Sequence, residues 1–411
     1  MQDLPVKSAN HQPILDAISA LGSAPLTEAT INQYIRPLFS KSLDNASAIY
    51  LANHSLGRML DQTEHDVMEG LRLWSSGRDD VWEQWFAEMH SFRSQTATLL
   101  SAERPDCIIP KTSAGQALRT ILHCFDQPIT VTTSVDEFNS IDFILKVFAS
   151  RKHIQLKFIK PGLEYHYQLN DLLSALSHRP KIMVLSMVLF TTGQLLNNLK
   201  TLVDTAHQQG TLVMLDLYHA AGVVPVNVQE LDIDFAMGGS YKYLRGGPGS
   251  GWLYIHPRHL DGSMRTLETG WFAQDQAFAF ARPETPEFAQ GGNAFLESTP
   301  NILSFYQSRA GLAFILAVGV DRIREYSLKQ QQFMEHNLIQ RKIPFLGQAS
   351  DRGAFISMPH QQAELLSKRL KENGVISDSR ENLLRFCPDL LNTEHQLVTA
   401  IEQLSRLWNA V

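Results

Sequence analysis

From about Ile108 to Ile255 short apolar runs alternate with amphipathic stretches, the pattern of βαβ units wound around a mostly parallel sheet. The runs Ile129–Thr133, Lys181–Val188, Thr211–Leu217 and Gly251–Ile255 predict strands, and the periodicity of Leu202–Gln209 predicts a helix between two of them. Upstream, Val81, Trp82, Trp85, Phe86, Met89 and Phe92 recur every three or four residues, which predicts a helix whose aromatic stripe faces the core. Beyond about Arg309 the rhythm changes to helix, a strand at Gly353–Met358, a helix at Gln361–Asn373, a strand near Asn382–Phe386 and a closing helix from Glu394. The expected fold class is therefore α/β: a large domain with a mostly parallel sheet flanked by helices, plus a smaller C-terminal α+β domain. The divisions fall at an N-terminal helical segment (1–48), the large domain (49–308) and the small one (309–411). The Pro/Gly-rich stretch Arg282–Gly292 reads as a surface loop.

Composition narrows the function classes. A chain of 411 residues with 44% hydrophobic and 19% charged residues and a net charge of −6 suits a soluble globular protein of two domains. No basic run tracks a phosphate backbone, and Arg322 and Arg324 read as a solvated helix face, so nucleic acid is not an expected partner. No apolar stretch has the length of a membrane span, so neither is a membrane. Cys107, Cys124 and Cys387 lie far apart without CxxC spacing, which argues against a disulfide framework or a structural zinc site and fits a reducing compartment. The opening MQDLPVKSANHQ has no apolar leader core, and the expected location is cytoplasmic.

The chemistry gathers between Met214 and Ile255. Asp216 and His219 end a predicted strand, where open α/β sheets bind their ligands, and Lys242 follows a second short apolar run with a Gly-rich turn behind it. An acid and an amine would meet at one sheet edge. Pyridoxal 5′-phosphate (PLP) needs such a pair: a lysine amine to bind it covalently, and a carboxylate to keep its pyridine nitrogen protonated so that the ring accepts electrons. The glycines at 246, 247 and 249 would let backbone pass close to the cofactor.

The order Asp216-Leu217-Tyr218-His219, then Tyr241-Lys242-Tyr243, then Gly246-Gly247-Pro248-Gly249 resembles the kynureninase pattern of DLxH, YKY and GGPG. Kynureninases are fold-type I PLP enzymes of the aminotransferase class-V superfamily. The resemblance implies that Lys242 carries PLP as a Schiff base and is the general base, and that Asp216 binds the pyridinium nitrogen. It implies too that His219 supports the ring substituents, while Tyr241 bonds the phosphate and assists proton transfer.

Further segments extend the resemblance from about Ile49 to Pro388. Ile49–Arg58 is similar to the family's YLxxNSLG, placing Ser55, with His54 beside it, in the substrate pocket. Ser113 and Ala114 open a helix-like segment where the family binds the phosphate, and helix N-termini favour anions. Phe138 holds the place of the ring that stacks on PLP, but the family's following aspartate is Ile141 here, with Asp142 one later. Ser186 begins a stretch similar to S-x-V-x-x-x-TGQ and is implied to contact the cofactor. Gly270-Trp271-Phe272 matches GW[WF], and Glu297–Ile302 matches a loop that the family lends to the neighbouring subunit. Trp271 and Thr299 are therefore implied to reach the partner's cofactor across a homodimer interface. The family histidine after GW[WF] is Gln274, and its asparagine before proline is Thr299. Asp378–Pro388 resembles DxRxxxxxRxxP, with Arg385 clamping the substrate's α-carboxylate bidentately and Arg380 ordering the strand.

The activity implied is hydrolysis of the Cβ–Cγ bond of L-kynurenine or 3-hydroxykynurenine to alanine and an anthranilate. The departures at Ile141, Gln274 and Thr299 keep a PLP carbon–sulfur lyase or an aminotransferase on another amino acid as alternatives. A catalytically inactive PLP-fold binding protein is the alternative of another class. A cysteine desulfurase is disfavoured because no cysteine lies in a segment that reads as a mobile loop, and Cys387 falls at a predicted strand end. A nucleotide enzyme is disfavoured because GGPGSG lacks the Lys-Ser/Thr of a P-loop.

Overall fold

The computed structural model describes residues 11–410 apart from 45, 47, 78 and 164; the reading of the first ten residues lies outside the described residues. Helical turns from Gln12–Leu21 to Ser40–Asp44 lead into a two-residue strand β1 (Ile49–Tyr50). The strands of the main sheet follow: β2 (Ile108–Lys111), β3 (Ile129–Ser134), β4 (Ile154–Ile159), β5 (Ile182–Ser186), β6 (Leu212–Asp216), β7 (Phe235–Gly239) and β8 (Gly251–Ile255). They lie in the order β2-β8-β7-β6-β5-β3-β4, with only β8 antiparallel to its neighbours.

The residue pattern explains this placement. β5, β7 and β8 are buried at every position, the mark of central strands covered on both faces. β4, the edge strand, exposes Gln155, Lys157 and Phe158, and a lysine there discourages pairing with another chain. The chain steps outward from β3 to β4, then returns to place β5 on the other side of β3. The order of the sheet reverses there, and the carboxyl ends of β3 and β5 flank a topological switch point, where α/β sheets bind ligands.

Four short strands complete the molecule. β10 (Val375–Ile376) pairs in parallel with β1, and β9 (Ile356–Pro359), β11 (Asp378–Arg380) and β12 (Leu383–Phe386) form an antiparallel sheet in the order β11-β12-β9. A second apolar cluster packs here, from Leu51 and Met334 through Phe386 to Leu404. Among the described residues no single helix is long and apolar enough to cross a membrane; Ile302–Val318 and Val320–Gln340 pass that test only jointly, across an 82° bend.

Three sequence readings need correction. The expected strands at 129, 181, 211 and 251 are present within one to two residues, but β2 and β4 escaped notice because Pro110 interrupts one and the polar Gln155 and Lys157 the other. Arg322 and Arg324 are not a solvated face: Arg322 donates to Ala24 O, and Arg324 donates to Arg352 O and Gly353 O, tying the helix to two loops. Met89 and Phe92 are core and the half-buried Trp85 and Phe86 pack against it, but Trp82, also half-buried, lies outside it.

Candidate active site

The carboxyl ends of β2, β3, β5, β6 and β7 meet along one sheet edge, and the polar residues that end them line it: Lys111, Ser134, Ser186 and Asp216. Lys242, three residues past β7, is 6% exposed, and its Nζ lies 2.7 Å from His219 Nε2. Three rings surround the amine: Tyr241, Tyr218 and Phe138, with centroids at 5.6, 5.7 and 5.8 Å. Asp216 is buried on the adjoining strand end, and the Tyr218 backbone N–H donates to its Oδ1 at 2.8 Å.

Burial sets the charge balance of this pair. It holds the Lys242 amine well below an ordinary lysine, with Asp216 pulling the other way, and a lysine so placed is readily a free amine nucleophile. Burial likewise holds Asp216 above the usual carboxylate range, against the Tyr218 N–H and the Lys242 charge. His219 is held well below its ordinary value by burial and by Lys242, and stays neutral. Burial pushes the half-buried Tyr241 phenol up to about 12, so it keeps its proton at neutral pH.

The helix Ala114–Leu122 opens at the same edge, directly after β2, and Ser113 caps it by accepting the Gln116 N–H at 3.2 Å. The positive end of its dipole suits a phosphate. The glycines of the 246–249 turn do not face the lysine amine: a Cβ on Gly246 would strike Ser240 and Ser308, and one on Gly247 would strike Gln307, so the turn packs against the helix Ile302–Val318. The glycine that meets the lysine is Gly57. A Cβ there would lie 1.9 Å from the Lys242 carbonyl oxygen, and the Gly57 N–H donates to Tyr241 O.

A family model described as aminotransferase class-V matches residues 55–378. The chain belongs to the aminotransferase class-V family. Among similar class-V proteins is the kynureninase of Geobacillus thermodenitrificans (strain NG80-2), 29% identical over 385 residues that cover 88% of each chain. The kynureninase of Shouchella clausii (strain KSM-K16) is 28% identical over 382 residues covering 87% of each. Solved structures share the fold at lower identity. An apo cysteine desulfurase from Thermococcus onnurineus NA1 superposes with TM-score 0.80 at 18% identity, over 92% of this chain and 98% of that one. A C-DES mutant with glycine covalently linked to its PLP cofactor gives 0.81 at 18%, over 90% and 98%.

This class-V protein is a fold-type I, PLP-dependent enzyme, and its residues fit the cofactor. The donor set is complete: a buried amine, a buried carboxyl on the neighbouring strand end, an aromatic ring beside the amine and a capped helix N-terminus for the phosphate. His54 Nδ1 is also buried without a protein partner, in the wall that His54 shares with His219 (ring centroids 6.0 Å apart) and Phe355 (4.7 Å).

Arg385 is buried and already engaged: its Nε and Nη2 donate to Asp378 at 2.7 Å each, and its Nη1 donates to Phe190 O. Asp378 also bonds His54 Nε2 at 3.0 Å and lies 3.4 Å from Arg380, which is partly exposed. Ser186 sits at the site edge, but its hydroxyl donates to Glu137, a residue the sequence reading passed over. Ser55 is exposed. Trp271 and Thr299 contact neither Lys242 nor Asp216. Trp271 instead joins an aromatic cluster with Trp82, Phe272, Phe278 and Phe280, while exposed Thr299 lines a cavity of about 150 Å³ with Lys111, Thr112 and Gln116. Lys111 pairs with Glu297 at 2.6 Å. Ile141 is fully buried core, Asp142 pairs with Lys146, and Gln274 donates to Ala281 O.

His54 makes the site acid-sensitive. Burial, helped by the Arg385 charge and opposed by Asp378, lowers it to about 4. The unfolded chain therefore binds more protons between pH 6.5 and 4, and stability falls as pH drops through that window. Urea unfolding at pH 5 should show about 2 kcal/mol less stability than at pH 7.5 from this residue alone. In His54→Phe that component should vanish; an unchanged pH slope in the variant would remove His54 as its source.

Proposed function

We propose that this enzyme hydrolyses the Cβ–Cγ bond of L-kynurenine or 3-hydroxykynurenine, releasing alanine and an anthranilate. The observation that carries the reading is Tyr241, whose ring centroid lies 5.6 Å from the Lys242 amine and whose phenol keeps its proton, an acid for Cβ once the Cβ–Cγ bond opens. The relatives named kynureninase, aligned over 87–88% of both chains, support it. The desulfurase reading lacks its nucleophile. Cys387 and Cys107 are buried and Cys124 half-buried, and burial raises their thiols to about 12, 11 and 12 respectively.

Bound PLP supplies a ring that accepts electrons from the amino acid's Cα. Around it, Lys242 holds the cofactor and then takes the Cα proton, and Asp216 keeps a carboxylate at the ring nitrogen. Of Arg385's five N–H donors, Asp378 and Phe190 O use three, leaving one on each Nη for a substrate carboxylate. Asp378 thereby aims the arginine.

The active unit we propose is a homodimer. Phe278 and Phe280 are 48% and 69% exposed and extend the half-buried cluster of Trp82, Trp85, Phe86 and Trp271 into an aromatic patch. Such patches mark interfaces, and a second copy would place Trp271 and Thr299 toward the partner's site.

The test presents L-kynurenine, 3-hydroxykynurenine and L-cystine to the PLP-loaded protein, which should sediment at twice the chain mass. Turnover of either kynurenine at a kcat/KM at least tenfold above cystine is expected. Sulfur release from cystine with neither kynurenine consumed would replace the reading with a carbon–sulfur lyase.

A further inference from the structure

Glu137 lies one residue before Phe138, in the turn from β3 to the helix Asn139–Ser150, and is 5% exposed. Three donors grip its carboxylate. The Ser134 hydroxyl (2.8 Å) and the Ser186 backbone N–H (3.0 Å) donate to Oε1, and the Ser186 hydroxyl donates to Oε2 at 2.5 Å. Ser134 ends β3 and Ser186 ends β5, so Glu137 bridges the two strand ends at the switch point of the sheet. Across β5 and β6 the Cα partner of Ser186 is Asp216. Burying a carboxyl is costly unless it is bonded, and the proposed reaction gives this one no task.

We propose that Glu137 is a positioning residue for bound PLP, the second carboxyl of the cofactor pocket, acting through the Ser186 hydroxyl that it orients. The proposal rests on the PLP site and not on the choice of substrate. A serine hydroxyl has one proton to give and two lone pairs. With its proton committed to Glu137, Ser186 turns lone pairs away from it and passes on the charge of the carboxylate beside Asp216. Ile141 cannot supply that acid, being an apolar residue fully buried in the core.

The charged neighbours fit this role. Asp216 faces Glu137 from β6, with Lys242 beyond it after β7; Asp136, next in the chain, is tied to the Tyr167 and Thr191 hydroxyls. Burial raises Glu137 to about 7, against the Ser186 and Ser134 bonds, so its charge changes near neutral pH.

The experiment follows the visible absorbance of the bound cofactor with pH, in holoprotein without substrate, together with PLP affinity and thermal melting. Removing a negative charge lowers the pKa of a neighbouring cation, so Glu137→Gln should move the absorbance midpoint down by about one pH unit. It should also weaken PLP binding by on the order of tenfold, the usual scale for partners one shell out. Ser186→Ala should shift the midpoint the same way, and the double variant no further than Glu137→Gln. Glu137→Asp, which keeps the charge, should restore the midpoint. An unchanged midpoint in Glu137→Gln, full additivity with Ser186→Ala, or a shift in Glu137→Asp equal to that of Glu137→Gln would overturn the proposal. Should Glu137→Gln fail to fold, Ser186→Ala and Glu137→Asp decide it by the same criteria. Because no substrate is present, failure of the kynurenine reading would leave these results untouched.

Discussion

Lys242→Ala is expected to abolish both the visible absorbance of bound PLP and turnover, with kcat falling on the order of 10⁴-fold or more. The amine is buried against His219 inside a cage of three rings, so no exposed lysine can reach its place. The truncated site would keep its walls and the helix N-terminus at Ser113, and PLP should still bind weakly and reversibly. Dialysis followed by an absorbance scan separates these effects: the variant should lose its cofactor to buffer while the wild type retains it. A variant that holds PLP through dialysis would place the attachment on another residue.

Arg385→Leu should raise KM for the amino acid by about 100-fold, the scale of losing a buried charge-assisted carboxylate contact. It should also cost about 3–5 kcal/mol of stability, because Asp378 would lose its bidentate partner in a largely buried position. Burial alone would raise Asp378, and His54 and Arg385 instead hold it far below the ordinary carboxylate range. The double variant with Asp378→Asn separates the two roles: stability should return in part while KM stays high. Recovery of KM together with stability would show that Arg385 only supports the fold. A direct carboxylate contact would then belong elsewhere, with Arg380 the nearest candidate.

The sequence was most legible where chemistry and periodicity coincide. Asp216 and Lys242 stand at ends of buried apolar runs, and the fold brings both to one edge because parallel strands point their carboxyl ends the same way. The order of motifs carried the family. What stayed hidden depends on contacts far apart in the chain. Glu137 is an ordinary acid in sequence, and only the return of β5 beside β3 gives it Ser186 as a partner. Arg385 could be read as a carboxylate clamp, but not as one already held by Asp378 across the turn between β11 and β12. Gly57 shows no turn signal, because its constraint is the Lys242 carbonyl 185 residues away. The aromatic stripe at Trp82 and Phe86 has the period of a core helix, and period alone does not tell a core from the patch formed with Phe278 and Phe280.

The most direct measurement is a product balance on the purified, PLP-loaded enzyme supplied with L-kynurenine alone, without any keto acid. Alanine and anthranilate released in equal amounts, and only with Lys242 in place, is the result the account predicts. An intact cofactor spectrum with kynurenine left unconsumed, in this assay and with 3-hydroxykynurenine in its place, would contradict it.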